Sequence, residues 1–161
     1  CLKDSRVHTI SVGASRPDDL NLHLEAVARL EYASTLIVPV QVRLQQAAAD
    51  ALGDDWLQSW RQGLPSWQDT PGEINLPVLL WLHNLLEAWD LESYAQARYR
   101  LLGSGGHWFA GSNADAFGDT IDDAQLLAVL GNSPWRERIP GILRTLKERL
   151  AGESQMRLSS V

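Results

Sequence analysis

The chain has 161 residues and a mass of 17.9 kDa, with 45% hydrophobic and 21% charged residues, a size that suits one globular domain burying about two thirds of its unfolded surface. A net charge of −6 and a pI near 5.1 leave no Lys/Arg face to neutralise phosphates, so neither nucleic acid nor an anionic membrane surface is an expected partner. One cysteine and four histidines do not build a cysteine zinc site, an iron–sulfur cluster or an intrachain disulfide, which points to a reducing compartment.

The longest apolar run, residues 76–82 with Pro77 inside it, falls far short of the about 20 residues that span a bilayer. No basic region followed by an apolar stretch opens the chain, so no signal peptide is expected. The first residue is Cys1. It is read as the start of a piece of a longer chain, ahead of a lipoprotein cysteine or an N-terminal nucleophile. A lipoprotein wants a polar tether and a nucleophile an oxyanion pocket, and Leu2-Lys3-Asp4 offers neither.

Arg6–Val12 alternates polar and apolar residues, carries β-branched Val7, Thr9, Ile10 and Val12, and meets Gly13, the pattern of a strand ending at a tight turn. It is the one convincing strand, and a lone strand leaves its backbone groups without partners. Ser15 stands at an N-cap position before Pro17, Asp18 and Asp19, so a helix is expected to about Ala33, burying Leu20, Leu24, Val27 and Leu30. Pro39 opens a second helix, which Gly53 ends, and Asp54-Asp55 opens a short third one bearing Trp56, Leu57 and Trp60. After the proline-rich connector 64–75, Pro77 begins a fourth helix whose apolar residues surround much of its circumference.

Asp90 is expected to cap a fifth helix bearing Tyr94, Arg98 and Leu101, closed by Gly103. Residues 103–119 form a long glycine-rich connection that holds His107, Trp108 and Phe109, read as a plug into the helical bundle ahead of a lid. Asp122-Asp123 starts a sixth helix. Ser133-Pro134 starts the last, running to about Leu150, with Pro140 kinking it or marking its true start. Residues from Gly152 onward are polar and expected to fray. The coarse reading is mainly α, one strand followed by about seven helices.

The strand, turn and helix start at Thr9–Asp19 is an arrangement in which backbone N–H groups hold an anion, with Arg16 as a bidentate partner. The plain alternative is a Ser15 cap beside a solvated Arg16. His83 and Glu87 lie one helical turn apart but lack further ligands at matching spacing, and are read as structural. Trp56, Trp60, Trp81 and Trp89, with Tyr32, Tyr94 and Tyr99, are read as packing residues.

VHTISVGASRPDDLNLHLEAV, residues 7–27, resembles the last barrel strand and following helix of the aldo/keto reductases. PGEINLPVLLWLHNLLEAWDLESYAQARYRLLGSGGHWFAG, residues 71–111, resembles the helical C-terminal extension of one branch of that family. The resemblance rests there on Asn84, Arg98, Tyr99, His107, Trp108 and Gly111 in order, and spans nearly the whole chain. It implies the last strand and helix of a (β/α)8 barrel over residues 1–35, a helical extension over 36–152 and a flexible tail over 153–161.

The resemblance also implies the C-terminal portion of a cytoplasmic oxidoreductase using NADP(H) or NAD(H), with a small carbonyl or alcohol substrate. Gly13 and Ala14 would form the turn, and Ser15 and Arg16 would contact the adenosine phosphate of the cofactor. Asp19 and His23 occupy positions where many relatives have Gln or Arg, and Asn. Asp19 pointing inward would repel a 2′-phosphate, which makes NADH use conceivable. Trp67, Asp69 and Phe117 stand in regions where relatives place thiolates, so no iron–sulfur cluster is expected. A complete barrel takes about 250 residues, so the family's Asp, Tyr, Lys and His tetrad lies outside this chain, and the stretch alone is expected to be inactive. A helical interaction module without enzymatic activity is the alternative.

Overall fold

The computed structural model describes residues 4–104 and 109–151. It is mainly helical, and among the described residues no strand ladder forms beyond two isolated bridges, Ile74 with Ser112 and Phe117 with Ile121. The chain divides into two compact units, Cys1–Gln45 and Gln46–Val161. The positions of Cys1, His107, Trp108 and the tail over 153–161 lie outside the described residues.

In the first unit the backbone turns at Asp4–Arg6, the Val7 N–H donating to the Asp4 carbonyl at 2.9 Å, and then runs irregularly to Ala14. Arg6–Val12, patterned as a strand but expected to find no partner within this chain, is irregular and joins no ladder among the described residues, since a strand needs a partner to form. The expected tight turn at Gly13 is also missing, since Gly13 takes no left-handed conformation and the chain bends at Ser15 and Arg16 instead. Helix α1, Pro17–Ala28, has Arg16 rather than Ser15 at its N-cap, with φ −140° and ψ 153°. Pro17 at the helix start sacrifices an N–H that would have no intrahelical partner anyway.

A 3-10 turn, Leu30–Tyr32, leads into α2, Ala33–Leu52, which contains Pro39 in its interior instead of starting there. The stripe expected to be buried on α1 is uncovered: Leu20, Leu24 and Val27 are 54%, 68% and 50% exposed. Along the first half of α2, Leu36, Ile37, Val38, Val40, Val42 and Leu44 are likewise exposed. A helix apolar on nearly all sides is a helix made to be covered. No described helix is long and apolar enough to cross a membrane.

The second unit holds the core. The end of α2 buries Ala48 and Leu52, Gly53 turns the chain, and α3, Asp54–Ser59, buries Trp56. Helix α4, Leu76–Trp89, is the central element: the Asn75 side chain accepts from the Val78 N–H at 3.2 Å, and Leu76, Leu79, Leu80 and Leu82 are fully buried. The expectation from its apolar circumference is met. Trp56 is buried and Trp60 and Trp81 are half-buried, whereas Trp89 and Tyr32, read as packing residues, are exposed; Tyr94 is exposed too but packs edge-on against Trp81, with ring centroids 6.1 Å apart.

Helix α5, Glu92–Tyr99, has Leu91 at its N-cap. Asp90 instead closes α4 in a left-handed conformation, its N–H on the Leu86 carbonyl at 2.9 Å and that of Leu91 on the Leu85 carbonyl at 3.4 Å. A short side chain able to bond locally tolerates that conformation. Asp122 and Gln125 form a reciprocal capping box at the start of α6, Asp123–Val129. Helix α7, Ile139–Leu150, begins beside Pro140 rather than at Pro134, since a proline ring clashes with a preceding helical turn. Helices α4, α5 and α7 pack on one another and α6 packs on α7. Arg149 ties three helices together, 3.2 Å from both Glu87 and Glu92.

Residues 73–75 cross residues 110–112 closely. The Ser112 N–H donates to the Glu73 carbonyl at 2.8 Å, the Asn75 N–H to the Ser112 carbonyl at 2.9 Å, and Asn75 Nδ2 to the Ala110 carbonyl at 2.7 Å. Gly111 sits in this crossing with φ +78°, where a Cβ would lie 2.7 Å from the Glu73 carbonyl oxygen. Only glycine meets both demands. Gly111→Ala is expected to cost about 2 kcal/mol from backbone strain and overpacking together. Urea unfolding followed by far-UV circular dichroism checks this, and an unchanged midpoint would show that the crossing is soft.

Candidate functional site

The residues expected at the anion-holding turn are brought together at the start of α1. The N–H groups of Ser15 and Arg16 converge on one oxygen, Asp19 Oδ2, at 2.8 and 3.0 Å. The other oxygen, Oδ1, lies 3.5 Å from Arg16 Nη2. Hydrogen bonds from Ser15 first and Arg16 second hold the Asp19 carboxyl below the usual carboxylate range. Donors that a phosphate would use are thus occupied by an internal carboxylate.

His23 Nε2 lies 3.2 Å from the Gly13 carbonyl, which accepts when that nitrogen carries the proton. Gly13 and Ala14 are exposed, and a Cβ at Gly13 would meet nothing within 4 Å. The arrangement is therefore a compact, solvent-facing knot. Arg16 has a 79% exposed side chain, whereas that of Asp19 is only 21% exposed. The Asp19 carboxylate is turned back onto the Ser15 and Arg16 N–H groups.

The other candidates separate cleanly. His83 is 7% exposed with neither ring nitrogen hydrogen-bonded, while Glu87 is engaged by Arg149. Among the described residues no group of three possible metal ligands assembles. Tyr99 is buried and donates to Asp115 Oδ1 at 2.7 Å, and burial with this carboxylate raises its phenolic pKa. A tyrosine held so firmly protonated anchors the 113–116 loop. Phe109 packs on Trp81, their ring centroids 6.1 Å apart, and against the core. Phe117 is buried in the core.

Sequence reasoning missed the polar work of Asn75 and Asn84. Asn84 Oδ1 accepts from Trp56 Nε1 at 2.6 Å inside the core. An amide on the buried face of an otherwise apolar helix is the signal that could have found it. It also missed the cleft beside Arg100, because no local pattern brings residue 100 to residues 112–116. Comparisons with family models, with curated proteins and with solved structures found no match.

Proposed function

We propose that the chain is the C-terminal part of an NAD(P)H-dependent oxidoreductase of the aldo/keto reductase kind, which moves hydride between a nicotinamide and a small carbonyl or alcohol. The observation that carries this reading is the contrast between the two units. In unit two Leu76, Leu79, Leu80, Leu82, Leu126 and Leu143 are fully buried, while in unit one Leu20, Leu24, Val27, Leu36, Val40 and Leu44 are exposed and residues 7–14 enter no ladder among the described residues. Such a helix and such a segment suit the edge of a barrel whose other strands and helices cover them. In this reading unit one supplies the adenosine end of the cofactor site, and the second unit is an appended helical domain.

The residues at the start of α1 fit one cofactor better than the other. A 2′-phosphate must displace Asp19 from the Ser15 and Arg16 N–H groups and then sit beside its charge. A free ribose hydroxyl donates to that same carboxylate. Arg16, mostly in solvent, is the group that would turn toward a phosphate. The reading thus favours NAD(H), with Arg16 keeping NADP(H) within reach.

The test uses the full-length protein that contains this chain. Arg16→Ala is expected to weaken NADPH binding by one to two orders of magnitude, about 1.4 to 2.8 kcal/mol, and NADH binding much less. Asp19→Asn is expected to shift preference toward NADPH. A merely structural pair would move both cofactors alike. Titration of both nicotinamides, with hydride transfer to a panel of aldehydes and ketones, decides the matter: no binding of either sinks the oxidoreductase reading. The rival, a helical interaction module, is favoured by the same uncovered side chains and predicts that outcome.

A further inference from the structure

Among the described residues of the second unit, seven of the eight basic side chains have a partner. Arg61, Arg98 and Arg138 stack on Trp60, Tyr94 and Trp56. Arg136, Arg144, Lys147 and Arg149 are paired with carboxylates. Arg100 is the eighth. It is half-buried at the end of α5, its Nε is shielded from solvent, and that nitrogen has no hydrogen-bond partner. A partly desolvated guanidinium with a shielded, unused donor is costly in an otherwise paired structure.

Arg100 lines an open cleft of about 370 Å³ together with Ser104, Ser112, Asn113 and Asp115. The walls are held in place by bonds already described. Ser112 is fixed through both its backbone groups in the 73–75 crossing, with no protein partner for its hydroxyl among the described residues. Asp115 accepts from Tyr99 Oη at 2.7 Å and from Asn113 Nδ2 at 3.1 Å, one bond on each oxygen. Each carboxylate oxygen has a further lone-pair direction. The cleft therefore offers a cation, a hydroxyl and a fixed acceptor on one surface.

We infer that this cleft binds a small hydroxylated carboxylate, its carboxylate on Arg100 and its hydroxyl donating to Asp115. The guanidinium fork suits a planar carboxylate, and a turn of the side chain that brings the shielded Nε–H into the cleft supplies one arm of it. Asp115 repels a bare anion and rewards one that brings a donor, which is the element of selectivity. The site belongs wholly to the second unit and does not depend on the oxidoreductase reading.

The test is a titration of the 161-residue chain with lactate, propionate and inorganic phosphate at constant ionic strength, followed by the Arg100 Nε–H signal and the Ser112 and Asn113 amides in nitrogen–proton correlation spectra. Lactate is expected to bind saturably, at least about tenfold more tightly than propionate. Arg100→Gln is expected to abolish saturation with an unchanged unfolding midpoint. Arg100→Lys, which keeps the charge without the buried Nε–H, is expected to weaken lactate by about tenfold. Asp115→Asn is expected to erase the difference between lactate and propionate. Non-saturating shifts in the wild-type chain, equal affinity for lactate and propionate, tighter binding of phosphate, or lactate binding by Arg100→Gln equal to that of the wild type would each overturn the inference.

Discussion

Trp56→Ala is expected to remove about 5 kcal/mol of stability from the second unit, the largest single-residue effect in the molecule. Trp56 is 1% exposed and is the hub where α3 meets α4 and the segment leading into α7. Its ring meets His83 and Trp135 edge-on, with centroids 5.7 and 5.2 Å apart, and the Arg138 guanidinium lies 4.3 Å from its ring centre. Truncating a buried aromatic costs about 3–5 kcal/mol through lost transfer energy and the cavity left behind. Asn84 Oδ1, 2.6 Å from the indole nitrogen, then loses its donor, adding about 1–3 kcal/mol.

Together these span about 4–8 kcal/mol, and partial relaxation brings the total toward the lower end, about 5 kcal/mol. Because a whole domain is stable by only about 5–15 kcal/mol, the variant should be largely unfolded at ambient temperature. Trp56→Phe separates the two contributions, keeping most of the ring and losing the hydrogen bond, and is expected to cost about 2 kcal/mol. Equilibrium urea unfolding of the three proteins measures both. A loss under about 1 kcal/mol in the alanine variant would mean that the site collapses freely and the hub is not one.

How much of this was legible beforehand depends on how local each cause is. Helix α4 was readable because its leucines recur at every turn and Pro77 marks its first turn. The start of α6 was readable from Asp122-Asp123, although the reciprocal bond with Gln125, written within four consecutive residues, went unread. Asp90 misled because the same side chain that caps a helix start also tolerates the left-handed end of the preceding helix, and hydrogen bonds to Leu86 decide between them. Residues 6–12 carry strand propensity, but a strand exists only where a second chain segment accepts its ladder.

The candidate site divides along the same line. That Asp19 lies near Ser15 and Arg16 follows from helical geometry over four residues, so their proximity was foreseeable. That both N–H groups settle on a single oxygen was not. The Arg100 cleft depends on segments brought together by the 73–75 crossing, and the Trp56–Asn84 bond spans twenty-eight positions in the sequence. Contacts of that range have no periodicity to announce them.

The stability of the second unit should fall as the pH drops from about 6.5 toward 4, with His83 responsible for a definite share. The imidazole is buried on α4, edge-on to Trp56, with no hydrogen bond to either nitrogen. Burial first, then the charges of Arg138 on the α7 side and Arg149 on α7 itself, push its pKa from 6.5 down to about 4. The sign follows from proton counting. Between those two values the unfolded chain binds a proton at this position and the folded chain does not, so acid favours unfolding. The stability from keeping His83 neutral is full above about 6.5 and is lost progressively down to about 4, on the order of 3 kcal/mol in all.

Carboxylates also titrate at the lower end of this range, so the comparison that isolates His83 is with His83→Phe. Phenylalanine keeps a ring edge-on to Trp56, brings no group that can be protonated, and removes two unpartnered nitrogens from the core. Its stability should be flat from pH 7 to about pH 5, where the wild-type chain already declines. Urea unfolding at several pH values gives both slopes. Parallel slopes would show that the wild-type ring takes up a proton without cost, through an opening of the packing around Trp56 that the folded structure does not display.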